Sequence, residues 1–295
     1  MSILSPELSE LESSWREAVP FWLSLFERYD LGRGIKSKSR PFEHYDFVND
    51  ALYRVNNPET PAMRFVSAGG EECWSYARLR KEVVSCAEDW SRAGVAKDTT
   101  VAILLPFGFS YAISLLAGLS LGATISFIQP EGRRLVASRL AALAPEFIVS
   151  EEIYSPLFSS TGIPLLSPFA RNTLRGGLAG SGYHSESTAF RLFDPCAERS
   201  GALVSVSADT AFLCALRDGL VLLGLRPGDV FAAPGAHYLE EQPSLLLACL
   251  LCGATWVESE EESVDWWLEQ PLASILLGAE LRDRLLAATP PQEVP

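Results

Sequence analysis

At 295 residues the chain is long enough for one large α/β domain or two modest ones, and 48% hydrophobic with 21% charged residues is an ordinary globular balance that excludes wholesale disorder. The net charge of −13 argues against a general nucleic-acid binder, which needs a basic face to neutralise phosphates, and against docking to an anionic membrane surface. Six cysteines with no zinc-spaced second pair fit free thiols of a reducing cytoplasm; Cys249 and Cys252 form a CxxC, but inside an apolar helical run rather than at a redox turn.

Taken in chain order, the N-terminal MSILSPELSELESS is acidic and lacks the basic start and apolar core of a secretory signal, so a cytoplasmic protein is expected. Ser5-Pro6 suits a helix start. Leu8, Leu11, Trp15, Val19, Trp22, Phe26 and Tyr29 follow at helical spacing, with Pro20 kinking or splitting the element. Residues 1–44 thus read as a helical extension, packed on its own domain or docking a partner. Five basic side chains between Arg28 and Arg40 read as a solvated loop. Residues 47–55 suggest a helix, and 63–66 and 72–76 the two strands of a hairpin turning at Gly69-Gly70. Ser75 then caps a helix to about Trp90, with Leu79, Val83, Ala87 and Trp90 on its apolar face.

Between Thr99 and Gln129 there is no charged residue, a length sufficient to cross a bilayer. Its punctuation favours strand, helix, strand: Val101 to Leu105 is apolar, Pro106 and Gly108 break the chain, 109–121 has helical length, and Gly122 sits where a helix stops. The same pattern recurs from Gly224 to Glu258, 130 residues on from Gly94 and 131 on at the Gly-Ala-Thr that closes each helix. Glu240 and Glu241 stand in the middle of the second copy, where a membrane span would be heavily penalised. Two related, buried βαβ units are therefore expected, each extended by a helix and a further strand at 147–150 and 273–277.

From Glu151 to Asp194 the pattern dissolves into Pro, Ser and Gly. Gly176, Gly177, Gly180 and Gly182 invite comparison with a phosphate cradle, but no strand is read before them and no helix behind them. The stretch reads as a connector. A helix from about Ser207 to Leu223 matches the Ser75 helix at an offset of 132, and a short helix near 264–268 carries Trp266 and Trp267. The acidic run Glu258, Glu260, Glu261, Glu262 and Asp265 reads as a solvated helix start, and TPPQEVP ends all regular structure. The fold class is α/β, two pseudo-repeated βαβαβ halves with mainly parallel sheets. Its divisions are an extension 1–44, subdomains 45–160 and 193–288, a connector 161–192 and a tail 289–295.

Several motifs resemble the N-terminal part of the adenylate-forming enzymes, which include acyl- and aryl-CoA synthetases. Trp74, Ser75, Tyr76 and Leu79 match the family's aromatic-Ser/Thr-Tyr-x-x-Leu; Leu119, Gly122, Ala123 and Pro130 match its helix ending in Leu-x-x-Gly-Ala before a strand and Pro. The lead-in at Gly94 to Ala102 and the Pro234-x-x-His237 segment also match, so the likeness covers roughly residues 45–260. The resemblance implies an acyl-CoA-synthetase-like fold, a pocket for an acyl or aryl carboxylate lined by His237 and Tyr238, and ATP and Mg²⁺ as cofactors if the family activity is retained.

The departures qualify that implication. Where the family has a Ser/Thr/Gly-rich loop ending in Pro-Lys-Gly, this chain reads DPCAERSGALVS: only Ser200 and Gly201 keep the loop's character, the lysine is absent, and Asp194 and Glu198 add negative charge. The regions that in the family hold adenine, ribose and Mg²⁺ are not read in this sequence. The expectation is therefore a degenerate, truncated relative that does not adenylate by itself, either a pseudoenzyme or one part of a split ligase completed by a second polypeptide or missing C-terminal half. A scaffold for a biosynthetic enzyme or carrier protein is the reading from another class. No catalytic residue and no metal site is assigned: His44 and His184 are expected in loops without ligand-spaced companions, and no GxSxG nucleophile elbow occurs.

Overall fold

The computed structural model describes residues 18–31, 42–67, 69–170, 182–193, 202–234, 242–259, 264–278, 282–284 and 287. The helix start at Ser5-Pro6, the basic residues from Arg33 to Arg40, Gly176, Gly177 and Gly180, and the tail 289–295 lie outside them. Within the N-terminal extension, helix α1 is Ala18–Arg28. It buries Phe21 and Leu25 and leaves Val19 58% exposed. The apolar stripe is thus rotated from the one expected: Phe21 and Leu25 form its centre, one helical turn apart, and Trp22 and Phe26 pack at its flank.

Strand β1 is His44–Tyr45. The helix expected over 47–55 is found over 47–53, its part Asn49–Tyr53 being a π-helical turn. Side chains close it at both ends, because the Asp46 carboxylate accepts the Asn49 amide at 3.0 Å and Arg54 Nε donates back to the Asp50 carbonyl at 2.9 Å. Strands β2, Pro61–Ser67, and β3, Gly70–Ser75, form the expected antiparallel hairpin. Ser75 then caps α2, Tyr76–Ala93, its hydroxyl accepting the Arg78 amide at 3.2 Å. Leu79, Val83, Ala87 and Trp90 are buried, as their spacing predicts. Next come β4, Thr100–Leu104, α3, Phe109–Ser120, and β5, Thr124–Phe127, with β4 and β5 parallel. Helix α4, Arg133–Leu143, and β6, Phe147–Ser150, complete the first repeat.

The stretch from 151 to 194 departs from expectation. A 3₁₀ turn, Glu152–Leu157, leads to β7, Leu165–Leu166, which adds to β6. Strand β8, Tyr183–His184, pairs with β1, and β9, Thr188–Phe193, runs parallel to β5. Tertiary burial overrides local composition here: Ala189, Phe190 and Phe193 are interior side chains whose neighbours come from distant segments. His44 and His184, expected in loops, face each other across β1 and β8 with ring centroids 4.2 Å apart.

The second repeat follows the predicted order. Strand β10, Leu203–Ser207, precedes α5, Ala208–Arg217, which Ser207 caps by accepting the Thr210 amide at 3.2 Å. A π-helical turn, Asp218–Leu222, replaces the last turn of the helix expected to reach Leu223. Then come β11, Val230–Ala232, α6, Gln242–Leu251, β12, Thr255–Ser259, α7, Val264–Glu269, and β13, Ser274–Ile275.

One sheet has the order β10-β9-β5-β4-β6-β7 and the other β13-β11-β12-β2-β3. Each is parallel through its centre and ends in one antiparallel strand, β10 on β9 and β3 on β2. The hairpins are exchanged. The hairpin that opens the first repeat, β2-β3, adds to β12 of the second, and the hairpin that opens the second, β9-β10, adds to β5 of the first. Each sheet therefore draws strands from both sides of the 161–192 stretch. The largest apolar cluster joins one face of each sheet to α2, α3, α5 and α6 between them. Val136 and Leu140 of α4 cover the outer face of the first sheet, and Trp267 of α7 that of the second. The result is five layers, α/β/α/β/α.

This exchange explains the repeated Gly-Ala-Thr. Gly122 and Gly253 both take positive φ, 73° and 71°, which turns the chain from helix end to strand. Ala123 and Ala254 are fully buried. The threonine hydroxyls then fasten the incoming hairpins: Thr124 Oγ1 donates to the Thr188 carbonyl at 3.0 Å, and Thr255 Oγ1 to the Pro61 carbonyl at 2.7 Å. Both accept at the first residue of the visiting strand. Thr124→Val and Thr255→Val keep side-chain size but delete the bond, so each is expected to cost about 1–2 kcal/mol, with the two costs nearly additive because they act in different sheets. Urea unfolding followed by tryptophan fluorescence measures both; valine variants as stable as the parent would show that the hydroxyls contribute nothing.

Candidate functional site

In open parallel sheets the carboxyl ends of the strands form the natural crevice, because connecting chains leave in opposite directions there. In this protein Phe107, three residues past the carboxyl end of β4, packs against strands of both sheets. Its ring lies 4.9 Å from Trp256 of β12, 5.2 Å from Tyr111 in the first turn of α3, and 6.1 Å from Phe65 of β2. Tyr111 stacks on Phe127 at the carboxyl end of β5, with centroids 4.8 Å apart. Phe109 bridges Phe65 and Trp74 at 4.6 and 4.2 Å. An aromatic layer thus runs between the two sheets. The Tyr111 hydroxyl is buried within it and has no hydrogen-bond partner among the described residues.

Two carboxyl groups meet this layer: Glu72 of β3 is exposed, accepts Trp74 Nε1 at 2.7 Å and pairs with Arg78, and the other is Glu258. Glu258, expected in a solvated acidic run, is instead the fourth residue of β12. Strand alternation puts it on the face of Trp256, which packs toward the central helices, while Val257 faces α7 on the other side. Trp256 Nε1 donates to Glu258 Oε2 at 3.2 Å. Burial raises the carboxyl pKa from 4.5 to about 7, against the opposing effect of the hydrogen bonds from Trp256 and the Ser259 amide. Among the described residues no Lys, Arg or His forms an ion pair with it. The position 131 residues earlier in the first repeat is Phe127, so the second repeat puts a carboxyl where the first stacks a ring on Tyr111. Both signals, the Thr-Trp-Val-Glu alternation and the repeat offset, were present in the sequence.

The residues assigned from the sequence lie next to this edge in the chain but outside the described residues: His237 and Tyr238 between β11 and α6, Ser200 and Gly201 between β9 and β10. Their anchors are described. The register of β11 on β12 pairs Ala232 with Val257, so Ala233 is level with Glu258 and Pro234 with Ser259. His237 follows three residues after Pro234. Leu203 pairs with Phe193, so the described residues that flank Ser200 and Gly201 are the paired ends of β9 and β10. In the counterpart hairpin Ser67 pairs with Gly70.

Other polar features stand apart from that edge. Cys249 and Cys252 are buried free thiols in α6, and burial raises both pKa values, Cys252 to about 12, which disfavours the thiolate needed for redox or metal chemistry. Among the described residues no group of three or more His, Cys, Asp or Glu could hold a metal ion. A cavity of about 200 Å³ is lined by Asp46, Asn49, Tyr53, Val83 and Ser120. Ser120 ends α3, so this cavity lies at the opposite end of that helix from Phe107. Among the described residues no helix is long and apolar enough to cross a membrane.

No protein-family model matches the sequence. Solved structures do match the fold. An acyl-CoA synthetase from Brucella canis aligns with a TM-score of 0.69 at 16% identity, over 85% of this chain and 51% of that one. Acetoacetyl-CoA synthetase from Streptomyces lividans aligns with a TM-score of 0.66 at 18% identity, over 83% of this chain and 44% of that one. A fatty acyl-adenylate ligase from L. pneumophila, solved with acyl adenylate and pyrophosphate, aligns with a TM-score of 0.63 at 16% identity, over 76% and 41%. The chain spans about half the length of these synthetases or less. At such identities the likeness establishes architecture: this protein has the mixed α/β fold of the N-terminal domain of acyl-CoA synthetases and acyl-adenylate ligases.

Proposed function

We propose that this chain is an acyl-CoA-synthetase-like domain that receives an acyl or aryl carboxylate beside His237 and Tyr238 and, as residues 1–295 alone, does not hold ATP well enough to adenylate it. A fold hosts many functions, so the reading rests on a local feature. The 194–202 loop, where the family resemblance puts the phosphate grip, reads DPCAERSGA, with two carboxylates, one arginine and no lysine. Ser200 and Gly201 can offer a hydroxyl and amides, but Asp194 and Glu198, within seven residues of them in the chain, add like charge against a polyphosphate. Isothermal titration with ATP and Mg²⁺ is expected to show binding no tighter than about 1 mM, and ATP–pyrophosphate exchange with a panel of acyl and aryl carboxylates to stay at background. Micromolar ATP binding or measurable exchange would falsify this reading. Five described cysteines as free thiols fit the same proposal of a cytoplasmic protein.

A second reading keeps the activity and divides it. The fold match extends over 85% of this chain but only 51% of the Brucella synthetase. That coverage favours a component whose nucleotide and Mg²⁺ contacts come from further polypeptide. Exchange activity in a mixture with a protein bearing the remaining motifs, absent from either alone, distinguishes it from the pseudoenzyme.

A further inference from the structure

We propose that His44 and His184 form a two-imidazole chelate for a late first-row divalent ion, Cu²⁺, Ni²⁺ or Zn²⁺, on the outer side of the β1–β8 pair. They are two of the three histidines in the chain, far apart in sequence, and the strand register sets one directly opposite the other. The Ser185 amide donates to the Glu43 carbonyl at 2.9 Å. By antiparallel alternation His44 and His184 are then the neighbouring non-hydrogen-bonded pair, in which Cα atoms lie about 4.5 Å apart and side chains come closest. Their ring centroids are 4.2 Å apart and their planes are tilted by 53°. An ion about 2.0–2.1 Å from one nitrogen of each ring holds the centroids about 4.5–5 Å apart, so a small rotation of the two side chains suffices to enclose it.

Neither imidazole is committed elsewhere, since among the described residues neither makes a hydrogen bond or an ion pair. Strand alternation sends the adjacent Tyr45 and Tyr183 into the core, each 1% exposed, and leaves His184 exposed and His44 half-buried on the other side. The tyrosines fix the two strands from beneath: the Tyr45 hydroxyl donates to Asp209, and the Tyr183 hydroxyl to the Ala123 carbonyl at 2.6 Å. Two ligands already held face to face lose little freedom on binding, which is the advantage of a preformed chelate over separate imidazoles. Imidazole donors select copper, nickel and zinc over the oxygen-seeking Mg²⁺ and Ca²⁺. Among the described residues no third His, Cys, Asp or Glu completes a protein ligand set, so water takes the remaining positions. Ala123 precedes β5 and Phe127 ends it, so the pair stands apart from the aromatic layer and its role is independent of the acyl-pocket reading.

The test is isothermal titration of Ni²⁺ into the untagged full chain and into His44→Phe, His184→Phe and the double variant, each of which keeps a ring in place. The parent is expected to bind one ion with a Kd on the order of 10 µM, undisturbed by a tenfold excess of Mg²⁺. Each single variant is expected to bind at least about 10-fold more weakly and no better than the double variant, because one imidazole cannot chelate. Ni²⁺ should also raise the urea midpoint of the parent and of no variant. In the parent itself, paramagnetic Ni²⁺ should broaden the ring-proton resonances of two of the three histidines together, a readout that does not depend on how the variants fold. No binding, binding that either single variant retains, competition by Mg²⁺, or broadening of fewer than two histidine signals would each overturn the proposal; an ion kept by the double variant would sit on other groups, such as the exposed Cys73 thiol, and overturn it as well.

Discussion

Arg54→Met is expected to destabilise the protein by about 3–5 kcal/mol, the cost of breaking a buried charge and its hydrogen bonds from one side. Arg54 follows the π-helical turn Asn49–Tyr53 and its guanidinium serves three separate segments. It donates to the Asp50 carbonyl at 2.9 Å within its own turn, to the Tyr29 carbonyl just past α1, and to the Leu251 carbonyl at the last residue of α6. Two of those oxygens lie at or just beyond a helix end, where the ladder leaves carbonyls without amides. Asp50, 1% exposed, adds its charge from below; burial lowers the Arg54 pKa and the Asp50 charge opposes that. Methionine fills similar space with no donor, so three carbonyls lose their common donor and the buried Asp50 carboxylate loses a favourable nearby charge. Lysine keeps the charge but not the fork, and is expected to recover less than half of the loss. Denaturant midpoints for the parent and both variants decide it. A methionine variant within about 1 kcal/mol of the parent would mean that water already serves these oxygens.

Much of this fold is legible in the sequence because the informative signals are local. Ser75 and Ser207 announce helix starts 132 residues apart and both bond the amide three residues on. Gly122 and Gly253 announce helix ends, and the apolar runs between them are the buried strands and helices expected of a parallel sheet. What the sequence does not announce is which sheet a hairpin joins. The choice of β12 over β5 for the β2-β3 hairpin is a contact nearly 200 residues distant in the chain, as in the Thr255 bond to Pro61. No local propensity encodes it. The strand at Thr188–Phe193 is hidden for a related reason: it follows a Gly/Ser-rich stretch, and its apolar residues find their partners only in the assembled sheet.

At the candidate site the structure departs from the sequence expectation at Glu258. The acidic run from Glu258 to Glu262 averages to a solvated surface, whereas the alternation of Thr255, Trp256, Val257 and Glu258 is that of a strand with both faces covered. Composition and periodicity disagree there, and periodicity is the stronger guide. His237, Tyr238, Ser200 and Gly201 were assigned by resemblance, and their side chains fall outside the described residues. The strand that precedes the 235–241 segment, β11, pairs with β12 up to Ala232 on Val257, one residue short of Glu258.

Glu258 should also leave a signature in the pH dependence of stability, opposite in sign to that of a paired carboxylate. Its pKa is raised by burial from 4.5 to about 7, so between those values the folded protein holds a proton that the unfolded chain has released. Stability from this residue is therefore fully present below about pH 4.5, falls as pH rises toward 7 and levels off above it, by about 3 kcal/mol in all. Glu71, whose pKa is lowered by its hydrogen bond to Arg64, acts the other way, so the parent curve alone is ambiguous. The difference between the parent and Glu258→Gln isolates the residue. The two should be nearly equal at pH 4.5, and the glutamine variant more stable by about 2–3 kcal/mol at pH 8. A difference that does not change with pH would show that Glu258 is solvated in the folded protein.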